Sequence, residues 1–395
     1  MIIPVKKISA FCKTGSGGTP SRSNNQFFEN GTIPWVKSGE LKNRYITNVE
    51  EYITDLAVEK SSAKLVSKDS LLIAMYGATV GEVSQLTFDA TTNQAICNIQ
   101  PDENICDVNY LYRFLEASKP YLLSRRVGGG QPNISQGVIK DLEVPLPPLA
   151  EQRRIAAILD QADELKQKRQ QAIEKLDQLL QATFIDMFGD PVRNPKGWDL
   201  VKVGEVVDEF IGGKNIECPD ESDSIYKILK VSAVTSKVYK PNESKFVPNT
   251  FEPNPLAIVE KGDLLFSRAN TTELVAATAY VWETPENIVL PDKLWKFSIS
   301  DESKINKLYL WDLFKNLEFR SELSKLSSGT SGSMKNISKG KLNEFKMPLP
   351  PKELQDKFAE FSTKLWGEIK TFQQSSDSLD SLFKSLQNQA FSGTL

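Results

Sequence analysis

Two stretches of this chain place apolar or small side chains alternately three and four residues apart. In the first they fall at Ile155, Ile158, Ala162, Leu165, Ala172, Leu176 and Leu179, with Arg169 interrupting the row. In the second they fall at Phe358, Phe361, Leu365, Phe372, Leu379, Leu382 and Leu386, with Glu368 and Ser375 as exceptions. The positions between are charged or rich in Gln and Ser, as a solvated face should be. A spacing of about 3.5 residues is the signature of helices that meet along one seam. Proline cannot sit inside a helix but suits its first turn. Pro145, Pro147 and Pro148 therefore set the start of the first helix at about Leu149, and Gly189, Pro191 and Pro195 stop it after about Met187. At about 1.5 Å per residue each helix is roughly 55–60 Å long. Neither can bury its stripe alone. The economical solution packs the two on each other, antiparallel, with one globular segment at each end. The chain end near Leu395 then returns close to the first globular segment.

The remaining chain predicts mixed sheet and helix. Short β-rich runs, "SLLIAMYG", "GDLLFSRA", "YKILKVSAV" and "LWKFSIS", are bounded by Gly, Pro, Asn or Asp. "VNYLYRFLEASKPYLLSR" and "INKLYLWDLFKNLEFRSELSKL" are amphipathic helix candidates. Each is followed by a polar loop and then by a junction that occurs twice. "NISQGVIKDLEVPLPPLAEQ" begins at Asn133 and "NISKGKLNEFKMPLPPKELQ" at Asn336, an offset of 203 with nine of twenty positions identical. An upstream echo at an offset of 193 aligns "LVSKDSLLIAM" with "IVEKGDLLFSR", and "WVKSGEL" with "ILKVSAV". Two copies are too few for a solenoid, so a pseudo-two-fold arrangement is expected. The fold class is α+β: two similar mixed α/β domains, 1–148 and 191–348, separated by a pair of long antiparallel helices, 149–190 and 349–395.

Composition narrows the chemistry. The chain has 395 residues, 40% hydrophobic and 25% charged, an ordinary balance for two or three globular domains. It contains no histidine, which removes Ser-His-Asp and Cys-His hydrolysis and any histidine-ligated metal. The four cysteines form no C-x-x-C pair, so neither a zinc site nor a redox motif is indicated. No apolar run approaches the ~20 residues that span a bilayer, and the start "MIIPVKKIS" lacks a signal-peptide core, so the cytoplasm is the expected compartment. Net charge is −3, and the helical segments hold the excess, with 11 basic and 14 acidic residues. A dedicated DNA binder is usually basic overall. Here the two globular segments are charge-balanced and carry local basic clusters: Arg125-Arg126, and Lys335, Lys339 and Lys341.

A globular segment, N-I-S-x-G, P-L-P-P-x-x-x-Q and a long helix, all given twice, resembles the specificity subunit of type I restriction–modification systems. "LPPLAEQRRIAAILDQADEL" and "FIDMFGDP…NPKGW" are stretches typical of that family. The resemblance spans the whole chain. It implies recognition of double-stranded DNA at a bipartite, asymmetric site, one target-recognition domain per half. It also implies docking of two methyltransferase subunits along the paired helices, and restriction subunits as further partners. No cofactor is expected in this chain; methyl donor, ATP and magnesium belong to the partner subunits. Half-sites on one face of DNA recur about every 34 Å, which a two-headed rod can match.

Catalytic motifs are missing. Both PP pairs occur as L-P-P-L and L-P-P-K rather than the [N/D]-P-P-[Y/F/W] of adenine methyltransferases, and no dinucleotide or P-loop signature is present. Asp292, Glu302 and Lys304 loosely match a metal-nuclease spacing, the basis of the alternative reading as a stand-alone DNA nuclease or methyltransferase. Arg suits guanine, and Asn or Gln suits adenine. The DNA-binding candidates are therefore Lys37, Ser38, Tyr76, Arg125, Arg126, Gln131 and Asn133 in the first segment, and Lys230, Ser232, Arg268, Asn270, Lys335 and Asn336 in the second. Each competes with a reading as a solvated residue or turn former. Two different half-sites should not demand the same residue, so Asn133 and Asn336 are read as fixing the loop or touching phosphate, and the N-I-S-x-G residues suit partner docking equally. Gln152, Arg153, Arg154, Gln161 and Glu164 lie on the faces flanking the helix stripe and are candidates for partner docking.

Overall fold

A computed structural model describes residues 3–127, 133–219, 223–236, 238–329 and 334–395. The chain divides into two compact units, residues 1–170 with 374–395, and residues 171–373. The two long helices, Leu149–Phe188 and Lys352–Ser392, each contribute one half to each unit. The first ends where Gly189 takes a φ of 79°, a left-handed conformation that glycine adopts without steric cost.

In the first unit an antiparallel sheet runs in the order Cys12–Ser16, Ile96–Pro101, Leu71–Ala74, Val83–Leu86, with Tyr45–Ile46 added in parallel at one edge. A second sheet pairs Ile33–Val36 in parallel with Ala90–Thr92, flanked by Tyr52–Ile53 and Leu65–Val66. In the second unit the same order recurs: Glu209–Gly212, Leu294–Ser298, Leu264–Ser267, Thr278–Tyr280. Its second sheet again has a parallel core, Lys227–Leu229 with Ile288–Val289. Three of the predicted β-runs contain strands as expected, but "YKILKVSAV" is a strand only over Lys227–Leu229, and its end enters the short helix Ser232–Thr235.

Each amphipathic stretch is two helices rather than one: Val108–Ala117 and Lys119–Ser124, and Lys307–Lys315 and Leu317–Lys325. Asp107 and Asn306 cap the first of each pair, Asp107 accepting from the Asn109 and Tyr110 N–H groups and Asn306 from that of Leu308.

The duplicated junction has the same construction in both units. Its last strand pairs with the unit's first strand, Glu143–Pro145 with Val5–Lys7, and Lys346–Leu349 with Asp199–Lys202. Ile134 and Ile337 are fully buried in the cores. Ser135 and Ser338 cap the short helices Gln136–Lys140 and Lys339–Asn343. The Tyr110 hydroxyl donates to Pro145 O at 2.7 Å, and the Tyr309 hydroxyl to Pro348 O at 2.8 Å. Nothing in the structure explains the glycine of N-I-S-x-G, since neither Gly137 nor Gly340 has a crowded Cβ direction.

Within each unit the two helix halves run antiparallel. In the first, Arg154 reaches Leu395 O and Lys166 pairs with Asp380, so numbers rise along one helix as they fall along the other. The chain end thus packs beside the first unit's body, with Phe391 edge-on to Tyr110 and Phe114. In the second unit Phe184 and Phe188 meet Phe358 and Tyr309, with centroids 4.8–5.8 Å apart. Each such pair contributes about 0.5–1.5 kcal/mol beyond simple burial.

The stripe itself needs correction. Leu179 and Leu382 are 47% and 51% exposed, while their neighbours Leu180 and Phe383 are 5% and 6% exposed. Leu165 is exposed as well, and Leu159 is buried. A strict heptad describes a seam between two helices. Here each helix also beds against a sheet-and-helix body, where a straight helix keeps its 3.6-residue period and residues four apart, such as Leu180, Phe184 and Phe188, share the buried face.

The units are fastened with different charges. Buried Arg113 binds Asp160, Asp163 and Glu116 at 2.8–2.9 Å. Counted from the helix caps, Asp312 and Lys315 occupy the positions of Arg113 and Glu116. The same i,i+3 ion pair is thus present with its signs exchanged, at 2.9 Å in each unit.

Candidate nucleic-acid interface

The strand before each unit's bend delivers one chain segment to the N-I-S loop. In the first unit Tyr76 and Val127 both bridge to Asn133, and the Ile134 N–H donates to Met75 O. In the second, Ala269–Asn270 pairs with Lys335–Asn336, Ser328 bridges to Asn336, and the Ile337 N–H donates to Arg268 O. The frame is therefore the same, and the side chains it presents are not. Tyr76, Tyr121 and Val127 are exposed in the first unit, beside exposed Arg125 and Arg126. Arg125 donates to the Tyr121 hydroxyl at 3.2 Å and lies 5.3 Å from its ring centre. Arg126 donates to Leu123 O.

The second unit presents polar groups at the same place. Arg268 donates through Nε to Asp292 O at 2.6 Å and through Nη1 to Asn336 Oδ1 at 2.9 Å, and its Nη2 lies 3.3 Å from Asp292 Oδ2. Its guanidinium sits 5.6 Å from the Trp295 ring centre. Asn270 reaches Ser267 Oγ, and Lys335 Nζ donates to Gly329 O. Lys339 Nζ lies 6.0 Å from the Trp295 ring centre, and Lys341 Nζ donates to Leu326 O. The structure thus brings together Arg268, Asn270, Lys335 and Asn336. Asp292 and Trp295 were not expected there. Their signal was weak, because only the fold carries Asp292 to the end of a strand some two dozen residues earlier.

Other candidates are engaged elsewhere. Lys37 Nζ is held by Glu50 at 2.8 Å and Glu51 at 2.9 Å, which raises its pKa, chiefly through the bond to Glu50. Ser38 is half-buried, and its carbonyl accepts from Thr79. Ser232 donates to Glu243 Oε2 at 2.8 Å, and Lys230 lies 3.9 Å from the same carboxylate. Gln131 lies outside the described residues. Asp292 pairs with Arg268, whereas Glu302 pairs with Lys307 and Lys304 with Asp301.

Among the docking candidates, Arg153, Arg154, Gln161 and Glu164 are exposed, though Arg154 pairs with Glu151 and Glu164 with Lys168. Gln152 is not available for docking, being only 1% exposed. Its Oε1 accepts from the Asp107 N–H at 2.9 Å, and its Nε2 donates to Ile105 O at 3.0 Å and Pro147 O at 2.8 Å. Gln355, 0% exposed, repeats this network on Asn306 N–H, Lys304 O and Pro350 O. The repeated glutamine is a latch between the proline junction and the capped helix. Its recurrence at the same step of both junctions was the sequence signal for that role.

The family description "Type I restriction modification DNA specificity domain" matches residues 4–175 and again 195–379. The chain belongs to this family. A curated relative, the type I restriction enzyme MjaVIII specificity subunit of Methanocaldococcus jannaschii, is 24% identical over 377 residues, covering 90% of this chain and 87% of the relative. The EcoKI specificity subunit of Escherichia coli is 23% identical and covers 93% of this chain and 84% of its own. The EcoR124I/EcoR124II specificity subunit, also of E. coli, reaches 32% identity over 40% of this chain and 41% of the relative. In fold, this specificity-family chain resembles the type I restriction–modification S subunit of M. genitalium, with a TM-score of 0.57 at 15% identity over 98% of this chain and 96% of that one. A chain from a study of complex assembly and conformational transition in the type I system also gives a TM-score of 0.57, at 16% identity over 100% of both chains. Among the described residues no helix is long and apolar enough to cross a membrane.

Proposed function

We propose that this chain reads a bipartite, asymmetric DNA sequence, one half with each unit, as a non-catalytic subunit of a type I restriction–modification complex. One observation carries the reading: a repeated frame holds unrepeated side chains at its loop. Met75, Tyr76 and Val127 stand where the second unit has Arg268, Ala269 and Ser328. Duplicated scaffolding with divergent tips suits two dissimilar half-sites. Arg125, Arg126, Lys335 and the backbone around Asn133 and Asn336 are assigned to phosphate and groove contact.

Two identical methyltransferase subunits need two equivalent docking surfaces, which a single chain offers only by repeating itself. Arg153, Arg154, Gln161 and Glu164 belong to one of these surfaces. Restriction subunits join the same assembly. Methyl donor, ATP and magnesium reside on the partners, and the complex works in the cytoplasm, where the DNA is. Mapping methylated bases in cells with and without this chain tests the reading. The expected result is a two-part motif present only with the chain. Cleavage or methyl transfer by the purified chain alone, with metal and methyl donor supplied, would favour the stand-alone enzyme instead.

A further inference from the structure

We infer that Arg268 reads guanine in the half-site recognised by the second unit, an assignment that rests on the DNA-recognition reading above. Arg268 directly follows the strand Leu264–Ser267, at the bend where the chain turns to pair with Lys335–Asn336. Arginine has five N–H donors in a rigid fork. Three are committed: Nε to Asp292 O, one on Nη1 to Asn336 Oδ1, and one on Nη2 to Asp292 Oδ2. Among the described residues, each terminal nitrogen therefore keeps one N–H without a partner. A bidentate contact to guanine O6 and N7 needs that pair.

The committed bonds serve recognition in two ways. They fix the guanidinium before DNA arrives, so less rotamer freedom is lost on binding. Asp292 also balances the charge of a group that is only partly exposed, which removes the cost of an uncompensated cation at a desolvated interface. The other second-unit candidates lack this combination. Ser232 and Lys230 face Glu243, and Lys335 is a flexible point charge suited to phosphate. In the first unit the corresponding residue is Met75, whose side chain is buried and has no donor. The effect of Arg268 is thus confined to one half of the motif.

The test uses the full chain assembled with its methyltransferase partner and a random DNA library sequenced for methylated sites. Wild type should give a fixed G·C pair in one half. Arg268→Ala should relax preference at that pair by about ten- to a hundredfold, and Arg268→Gln should turn it towards A·T, with the other half unchanged. A structural tie alone would lower stability without moving the motif. Should the variants fail to fold, the wild-type complex bound to DNA carrying 7-deazaguanine, which lacks the N7 acceptor, should lose about tenfold in affinity at one guanine of the site. A folded Arg268→Gln chain that keeps the wild-type motif overturns the assignment. So does a wild-type complex indifferent to 7-deazaguanine at every guanine. A wild-type complex that methylates no bipartite motif overturns instead the DNA-recognition reading itself.

Discussion

Replacing Gln152 by leucine keeps the volume and removes every polar contact. The Asp107 N–H and the carbonyls of Ile105 and Pro147 then lose their partners, at 2.9, 3.0 and 2.8 Å. Leaving one buried polar group unpaired costs about 1–3 kcal/mol. The bond to Pro147 O is fully buried and the other two are partly buried, so water recovers some of the loss. A total of about 2–5 kcal/mol follows. For a unit of this size each kcal/mol moves Tm by about 2–4 °C, so calorimetry should show the first unit melting roughly 4–20 °C lower. Hydrogen exchange at the Asp107 amide should accelerate in step, because that N–H loses its acceptor. Gln355→Leu should do the same to the second unit. Gln152→Glu adds a sign test. Its carboxylate would face two carbonyl oxygens, which raises the folded pKa above the usual glutamate value near 4.3. The variant's stability would be greatest below that value and fall as pH rises through the folded pKa. A Gln152→Leu protein within about 0.5 kcal/mol of wild type would refute the latch, since changes of that size are typical of the surface.

Three further outcomes are expected. Arg113→Leu should destabilise the first unit by about 2–4 kcal/mol in thermal melts, because Asp160, Asp163 and Glu116 are left without their shared cation, with partial relief from solvent. Ellman's reagent should label Cys97 and Cys106 in the native chain only as fast as it unfolds, since both are buried and burial pushes the Cys97 thiol up to about 12 and raises that of Cys106. The bond from Lys352, and then that from Asn306, hold Asp356 below the usual carboxylate range, so its contribution is present above about pH 4 and fades as pH falls through the lowered value; Asp356→Asn should flatten the acid limb of a Tm–pH curve.

Periodicity, proline placement and the offset repeat determined the long helices, their antiparallel pairing and the duplicated frame, because these depend on local backbone preference and on which faces are apolar. The burial phase was beyond their reach. Leu180 and Phe383, rather than Leu179 and Leu382, turn inward, and that choice depends on the bodies the helices lie against. The same holds for the site. Charge and hydrogen-bonding type marked Arg268 and Lys37 alike, yet only tertiary structure sets one beside Asp292 and Asn336 at the N-I-S segment and the other against Glu50 and Glu51. Gln152 shows the limit most plainly. Its place on a helix and its nearness to Pro147 are written in the sequence, but whether the amide meets water or also the backbone of Ile105 and Asp107 is decided by residues more than forty positions away.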